Sequence, residues 1–120
     1  MAAPNIVNVS TITGKTAGVA IGATNTTIVS NASASGKVFK INSLIVSNID
    51  GTNAADVTVE FFDNATTAYK IVNTVSVPAD ASLVVISKET AIYLEENDLI
   101  RAVASAAGDL EAIVSYEEIS

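Results

Sequence analysis

The feature that most constrains this chain is the short, regular beat of its turn residues. From Val77 to Tyr116, apolar runs are set apart by polar breaks. Pro78 and Asp80 open one break, Glu95 to Asp98 form a second, and Ala107, Gly108 and Asp109 form a third. Val, Ile and Leu crowd the runs, while Gly, Pro, Asn and Asp sit between them, the punctuation of an antiparallel β domain. Nowhere does an apolar period of 3.6 residues persist for the ~10–12 residues that mark a helix.

The same beat runs upstream. In Lys37 to Ile49, Phe39, Ile41 and Ile45 fall on one face and Lys40, Asn42, Leu44 and Val46 on the other. The second half of this run is apolar on both faces, as in a central or interface-covered strand. Asp50-Gly51 is a turn signal. Val57, Val59 and Phe61 then alternate with Thr58, Glu60 and Phe62, the clearest period-2 strand in the chain. Tyr69, Ile71, Asn73, Val75 and Val77 share the next face, and Pro78, lacking an N–H, ends that strand. Leu83 to Ile86, Ile92 with Leu94, Leu99 to Val103, and Leu110 to Tyr116 supply the rest. Glu117 and Glu118 are expected to face solvent.

Roughly seven to nine short strands with turn signals every ~8–12 residues give the spacing of a sandwich. The expected fold is all-β, a single antiparallel β-sandwich of jelly-roll-like topology over residues 31–120. Residues 1–30 are rich in Asn, Thr, Ala and Gly and read either as an N-terminal arm or as edge strands of the sandwich. In the arm reading, Ile6, Val7 and Val9 form a short strand added to a neighbouring subunit, which buries their side chains and satisfies their backbone donors.

Composition narrows the function. The 120 residues suit one domain. Hydrophobic residues make up 49% but aromatics only 5%, so the core is built from small, mostly β-branched side chains and is thin. A subunit interface is expected to complete it. The six basic residues, Lys15, Lys37, Lys40, Lys70, Lys88 and Arg101, are scattered in a chain of net charge −7. Phosphate backbones and anionic membranes are bound by clustered cations, so neither is an expected partner. There is no Cys for a disulfide framework or a thiolate. The opening Met1-Ala2-Ala3-Pro4-Asn5 has neither a basic n-region nor an apolar h-region, which reads as synthesis in a host cytoplasm without a signal peptide.

Catalytic residue types are scarce. With no His there is no imidazole base, His-based triad or His-liganded metal. Thr13-Gly14-Lys15-Thr16 has the tail of a phosphate-binding loop, but the first Gly of that motif falls at Val9, so the cradle is missing and a solvated lysine is the plain reading. Glu95, Glu96 and Asp98 gather carboxylates of the kind calcium favours. Neighbouring strand residues point to opposite faces, however, so a solvated acidic turn accounts for them better. Tyr69, Tyr93 and Tyr116 are candidates for a sugar platform; more commonly such residues cap a core or an interface with the hydroxyl in water. The expectation is a non-enzymatic protein without cofactor or metal.

The turn Val77-Pro78-Ala79-Asp80-Ala81-Ser82, followed by Ile92-Tyr93-Leu94, Asp98-Leu99-Ile100 and Ala102-Val103-Ala104-Ser105, resembles a pattern found in small β-sandwich structural proteins of tailed bacteriophage virions. In that pattern a V-P-A-G-x-S turn precedes a strand, an L-x-x-G-D-x-L turn leads to A-S, and the last strand ends near S-Y-E-E. Here Asp80 and Asn97 stand at the two glycine positions. The opening Met1 to Val9 is similar to small structural proteins of marine cyanobacterial phages. The resemblance implies a multi-copy place in a virion, with other virion proteins and further copies of itself as partners. A capsid decoration or cement protein is the first expectation; a neck, tail or baseplate component is the alternative. A carbohydrate-binding module is the reading from a different class, disfavoured by the absence of Trp. Apolar residues on both faces of two strands predict contact surfaces, with Ile6, Val7, Val9, Leu44, Val46, Val84 and Ile86 as interface candidates and a trimer as the expected homo-oligomer.

Overall fold

The structure is a computed structural model that describes residues 8–120. Its strands are β1 (Ile12–Ile21), β2 (Thr26–Ser30), β3 (Val38–Asn48), β4 (Ala55–Asp63), β5 (Thr67–Val77), β6 (Ser82–Ile86), β7 (Ile92–Leu94), β8 (Leu99–Ala104) and β9 (Leu110–Ile119). A single 3-10 turn, Lys88–Thr90, joins β6 to β7. Strand β5 stops at Val77, immediately before Pro78.

The strands pair antiparallel in a nested order: β1 with β9, β2 with β8, β3 with β6 and β7, and β4 with β5. Two further pairings, β3 with β9 and β8 with β4, gather these into two sheets. The five-stranded sheet runs β1-β9-β3-β6 with β7 also on β3, and the four-stranded sheet runs β2-β8-β4-β5. A long antiparallel hairpin rolled up on itself produces this order, which is the jelly roll. The expected sandwich is therefore present. Residues 12–30 form β1 and β2, which lie at sheet edges.

Alternating side chains of the two inner faces meet in one core. It contains Ile21, Ile41, Leu44, Val46, Val57, Val59, Leu94, Ile100 and Val114, each essentially without solvent exposure. Burying a side chain of this size stabilises by about 1.5–3 kcal/mol. Phe39 and Tyr116 close one end, ring centroids 5.4 Å apart.

Two bulges decide which residues enter the core. Between Ile41 and Ser43 the register of β3 against β9 slips, so Asn42 is an extra residue. Parity reverses there: Phe39 and Ile41 point inward, as do Leu44 and Val46, and Ile45 points out. Strand β6 slips in the same way against β3, pairing Leu44 with Ile86 but Ile45 with Val84. The sequence alternation put Ile45 on the face of Ile41, and this is corrected by the bulge, which adds one residue and turns every later side chain over.

The loops collect at two poles. One pole holds residues 31–37, 64–66 and 95–98 together with residues 8–11 and Ser120; the other holds residues 22–25, 49–54, 78–81 and 105–109. A buried asparagine braces each. Asn31 donates to the carbonyls of Lys37 and Leu94 at 2.9 and 3.0 Å and accepts from Ser35 Oγ. Asn48 donates to the carbonyls of Asn53 and Val77, both at 2.9 Å, and accepts from the Asp50 N–H. At the first pole Thr11 and Ser120 exchange backbone hydrogen bonds, clasping the segment before β1 to the C-terminal residue.

Candidate interaction surfaces

The outward face of the five-stranded sheet carries an apolar row. Val84 on β6, Ile45 on β3 and Ile113 on β9 stand directly opposite one another in register. Val84 and Ile113 are 60% and 51% exposed, values of surface residues rather than of a core. Polar rows frame them. On one side Ser82, Ser47 and Glu111 line up, with Ser47 Oγ and Ser82 Oγ 3.0 Å apart. On the other side come Ser43, Ser115 and Thr16, the last two joined at 3.1 Å. An apolar stripe bordered by short hydroxyls suits contact with another flat surface.

The interface candidates separate into three groups. Val84 lies on this stripe. Leu44, Val46 and Ile86 do not: they are 0%, 0% and 2% exposed, inside the sandwich core, and offer nothing to a partner. That correction follows from the bulges, which put Ile45, not its two neighbours, on the outer face and separate Val84 from Ile86. Val9 is half-buried beside the first pole, and Ile6 and Val7 lie outside the described residues. Ile113 belongs to the stripe and was missing from the candidates. Its alternation with Ala112 and Val114 was readable, but it stood out only once Ile45 was known to face the same way.

Next to the stripe, the same face dips into an open groove of about 340 Å³ lined by Gly14, Thr16, Asn42, Ser115 and Glu117, among others. The bulge residue Asn42 and the missing side chain of Gly14 shape it. Glu117 is the one carboxylate along it, so no facing pair of acids exists there for hydrolytic chemistry.

Four of the six cations are paired with just two carboxylates. Glu60, buried on the outer side of the four-stranded sheet, accepts from Lys70 Nζ and from Arg101 Nε, the latter at 2.8 Å. Lys70, Glu60 and Arg101 sit side by side on β5, β4 and β8. The Arg101 guanidinium also lies 4.0 Å above the Phe62 ring. The hydrogen bonds from Lys70 and then Arg101 hold the Glu60 carboxyl below the ordinary glutamate value, against the upward push of burial. Glu118 is the second such centre. Burial pushes it up, but hydrogen bonds from Lys37 and Lys15, at 3.0 and 3.1 Å, together prevail and lower its pKa. Glu118, expected in solvent, is thus mostly covered, with 13% of its side chain exposed. Lys15, the lysine of the Thr13–Thr16 motif, thus lies on β1 and is spent on Glu118 of the neighbouring β9.

The remaining candidates are structural. Asp98 is buried and accepts from the N–H groups of Asn64 and Glu95 at 2.8 and 2.9 Å, while Glu96 accepts from the Gly36 N–H. The acidic turn therefore spends two of its carboxylates on loop N–H groups. Among the described residues, no three acidic, His or Cys side chains gather in a way that could hold a metal. The three tyrosines do not converge. Tyr69 is exposed on β5, Tyr93 is exposed on β7 in the other sheet, and Tyr116 packs on Phe39.

No protein-family model matches the sequence, and no curated protein matches it. Among solved structures, the chain is similar to one described as "Bacillus endospore appendages form a novel family of disulfide-linked pili", at 16% identity and a TM-score of 0.55, over 100% of this chain and 96% of that one. It also matches two structures of a pentameric capsid protein from metagenomic phage sequences, each at 17% identity and a TM-score of 0.43. Those alignments cover 87% of this chain and 62% and 60% of the capsid proteins. At these identities the likeness is one of fold.

Proposed function

We propose that the protein is a structural subunit of a bacteriophage virion, present in many copies, and that it decorates or cements the capsid surface. The observation that carries this reading is the jelly roll with an outward apolar row, Val84–Ile45–Ile113, framed by hydroxyls. A stripe of this kind contributes little alone and much when symmetry repeats it. The residue inventory agrees, with neither His nor Cys available. The spore-appendage neighbour is by its description disulfide-linked; with no cysteine, copies of this chain cannot be joined in that way.

The test is quantitative mass spectrometry of purified particles. Decoration requires an icosahedral copy number, and a count set by a single axis would move the protein to the neck, tail or baseplate. Finding it in lysate but not in particles overturns the reading. Val84→Ser with Ile113→Ser should then lower incorporation while leaving the isolated fold intact.

A further inference from the structure

A strand at a sheet edge presents a row of unpaired backbone N–H and C=O groups, and proteins commonly spoil such edges with bulges, short length or charge. Three flanks of this sandwich are spoiled. Strand β2 is five residues long and slips in register between Thr27 and Val29. On the far side of the five-stranded sheet, β6 has five residues and a bulge, and β7 has three. Strand β5 is longer, but its register against β4 breaks twice and Thr74 within it has φ of 53°. Strand β1 differs. Its ten residues run against β9 without a break, with no proline, no positive φ and one charged side chain, Lys15. Ile12 to Thr16 are all exposed, and among the described residues no strand pairs with the other side of β1.

We propose that this edge binds a second copy of the chain, β1 against β1, antiparallel about a two-fold axis, so that the five-stranded sheet of one copy continues into that of the next. Backbone edges are satisfied by other backbone edges. Since β1 is the unbroken edge among the described residues, its counterpart of equal length in another copy is β1 itself, and the contact is isologous. Facing residues in an antiparallel pair share a sheet face. With Thr16 on the axis, Gly14 faces the partner's Gly18, Lys15 faces the partner's Ala17 and Ile12 faces the partner's Ala20. No like charges meet, although each chain carries a net charge of −7, and Lys15 is already matched by Glu118 of its own chain. A β1 pair is two-fold, whereas a trimer was the expectation from the sequence; a ring built by adding β1 to a neighbour would need a second regular edge, and the described strands offer none. It does not depend on the structural-subunit reading, and the two fail separately.

The test is the mass of the full chain in solution by size-exclusion chromatography with light scattering. The expected value is about twice the 12.3 kDa of the chain. A Cβ at Gly14 meets nothing within 4 Å, and one at Gly18 meets only the Ala112 carbonyl at 3.9 Å, so side chains fit there without disturbing the single copy. Gly14→Lys with Gly18→Lys sets lysine against lysine across the axis, and Thr16→Lys does so at the axis itself. Each variant should run as a monomer with an unchanged circular-dichroism spectrum, and Gly14→Ala with Gly18→Ala should stay paired. A wild-type monomer, or lysine variants that remain paired, overturns the proposal. A β1 pair that never enters particles would refute the virion reading and leave this one standing; an abundant virion protein that is monomeric in solution would do the reverse.

Discussion

Glu60 and Glu118 each bind two cations, so four of the six basic side chains are committed to two carboxylates. Both carboxyls have folded-state pKa values below the ordinary one. Their stabilisation is therefore complete above the unfolded glutamate value, about 4.3, and is lost as pH falls through the lower folded values. Urea titrations across the acid range should show stability dropping over that window. In Glu60→Gln the drop should be smaller, from a starting stability about 1–3 kcal/mol lower, because a charged acceptor beside Arg101 is gone. Asn48→Ala removes three hydrogen bonds within one buried turn, and a thermal melt should show a comparable loss, about 1–3 kcal/mol. Thr74 works the other way. A β-branched residue at φ of 53° is held in a left-handed conformation that costs about 1–2 kcal/mol. Thr74→Asn should raise the melting temperature; an unchanged or lower value would mean that the Thr74 side chain contributes more than its backbone strain costs.

At the scale of strands, the sequence marked the stops after β3, β5 and β7, because Pro78, Asp50-Gly51 and the 95–98 turn are chemical stops that need no tertiary knowledge, whereas β1, with Gly14 and Gly18 and little apolar alternation, was not read as a strand and β9 runs on past Tyr116 to Ile119. Even the two turns at the substituted glycine positions were legible: Asp80 and Asn97 have φ of 56° and 72°, the left-handed geometry for which glycine is the usual choice. What the sequence hid was facing. In β3 and β6 alternation held on either side of a bulge, but no residue type announces the bulge itself, since Asn42 is ordinary in a strand and Val85 is typical of one. Three of the seven interface candidates were lost to these two displacements. The consequence can be measured in a pair of variants on neighbouring positions. Leu44→Ala should cost about 2–5 kcal/mol in denaturant unfolding, whereas Ile45→Thr, one residue on and half-buried on the outer face, should cost clearly less, about 1 kcal/mol. Equal losses would mean that the outer row is covered within the single chain.

Over the whole molecule, the surplus of acid is carried on the surface, because the cations are mostly engaged with Glu60 and Glu118. Copies of a chain with net charge −7 repel, and screening shortens that repulsion to a reach of about 8 Å at physiological salt. Self-association should accordingly strengthen as salt rises from low ionic strength, which sedimentation at two salt concentrations would show. The molecule is also long, 49 × 26 × 20 Å, and the clasp between Thr11 and Ser120 sits at one tip. The chain from Thr11 to Ser120 is thus nearly a closed circle. A short linker from Ser120 to Asn8, with new ends opened between Thr52 and Asn53 in an exposed turn at the opposite tip, should yield a permuted protein with the same circular-dichroism spectrum. It follows that a fluorescent tag or displayed peptide fused after Ser120 emerges from the clasped tip, and that permutation carries it to the other. Comparing the two placements would tell which tip of the molecule a particle leaves uncovered.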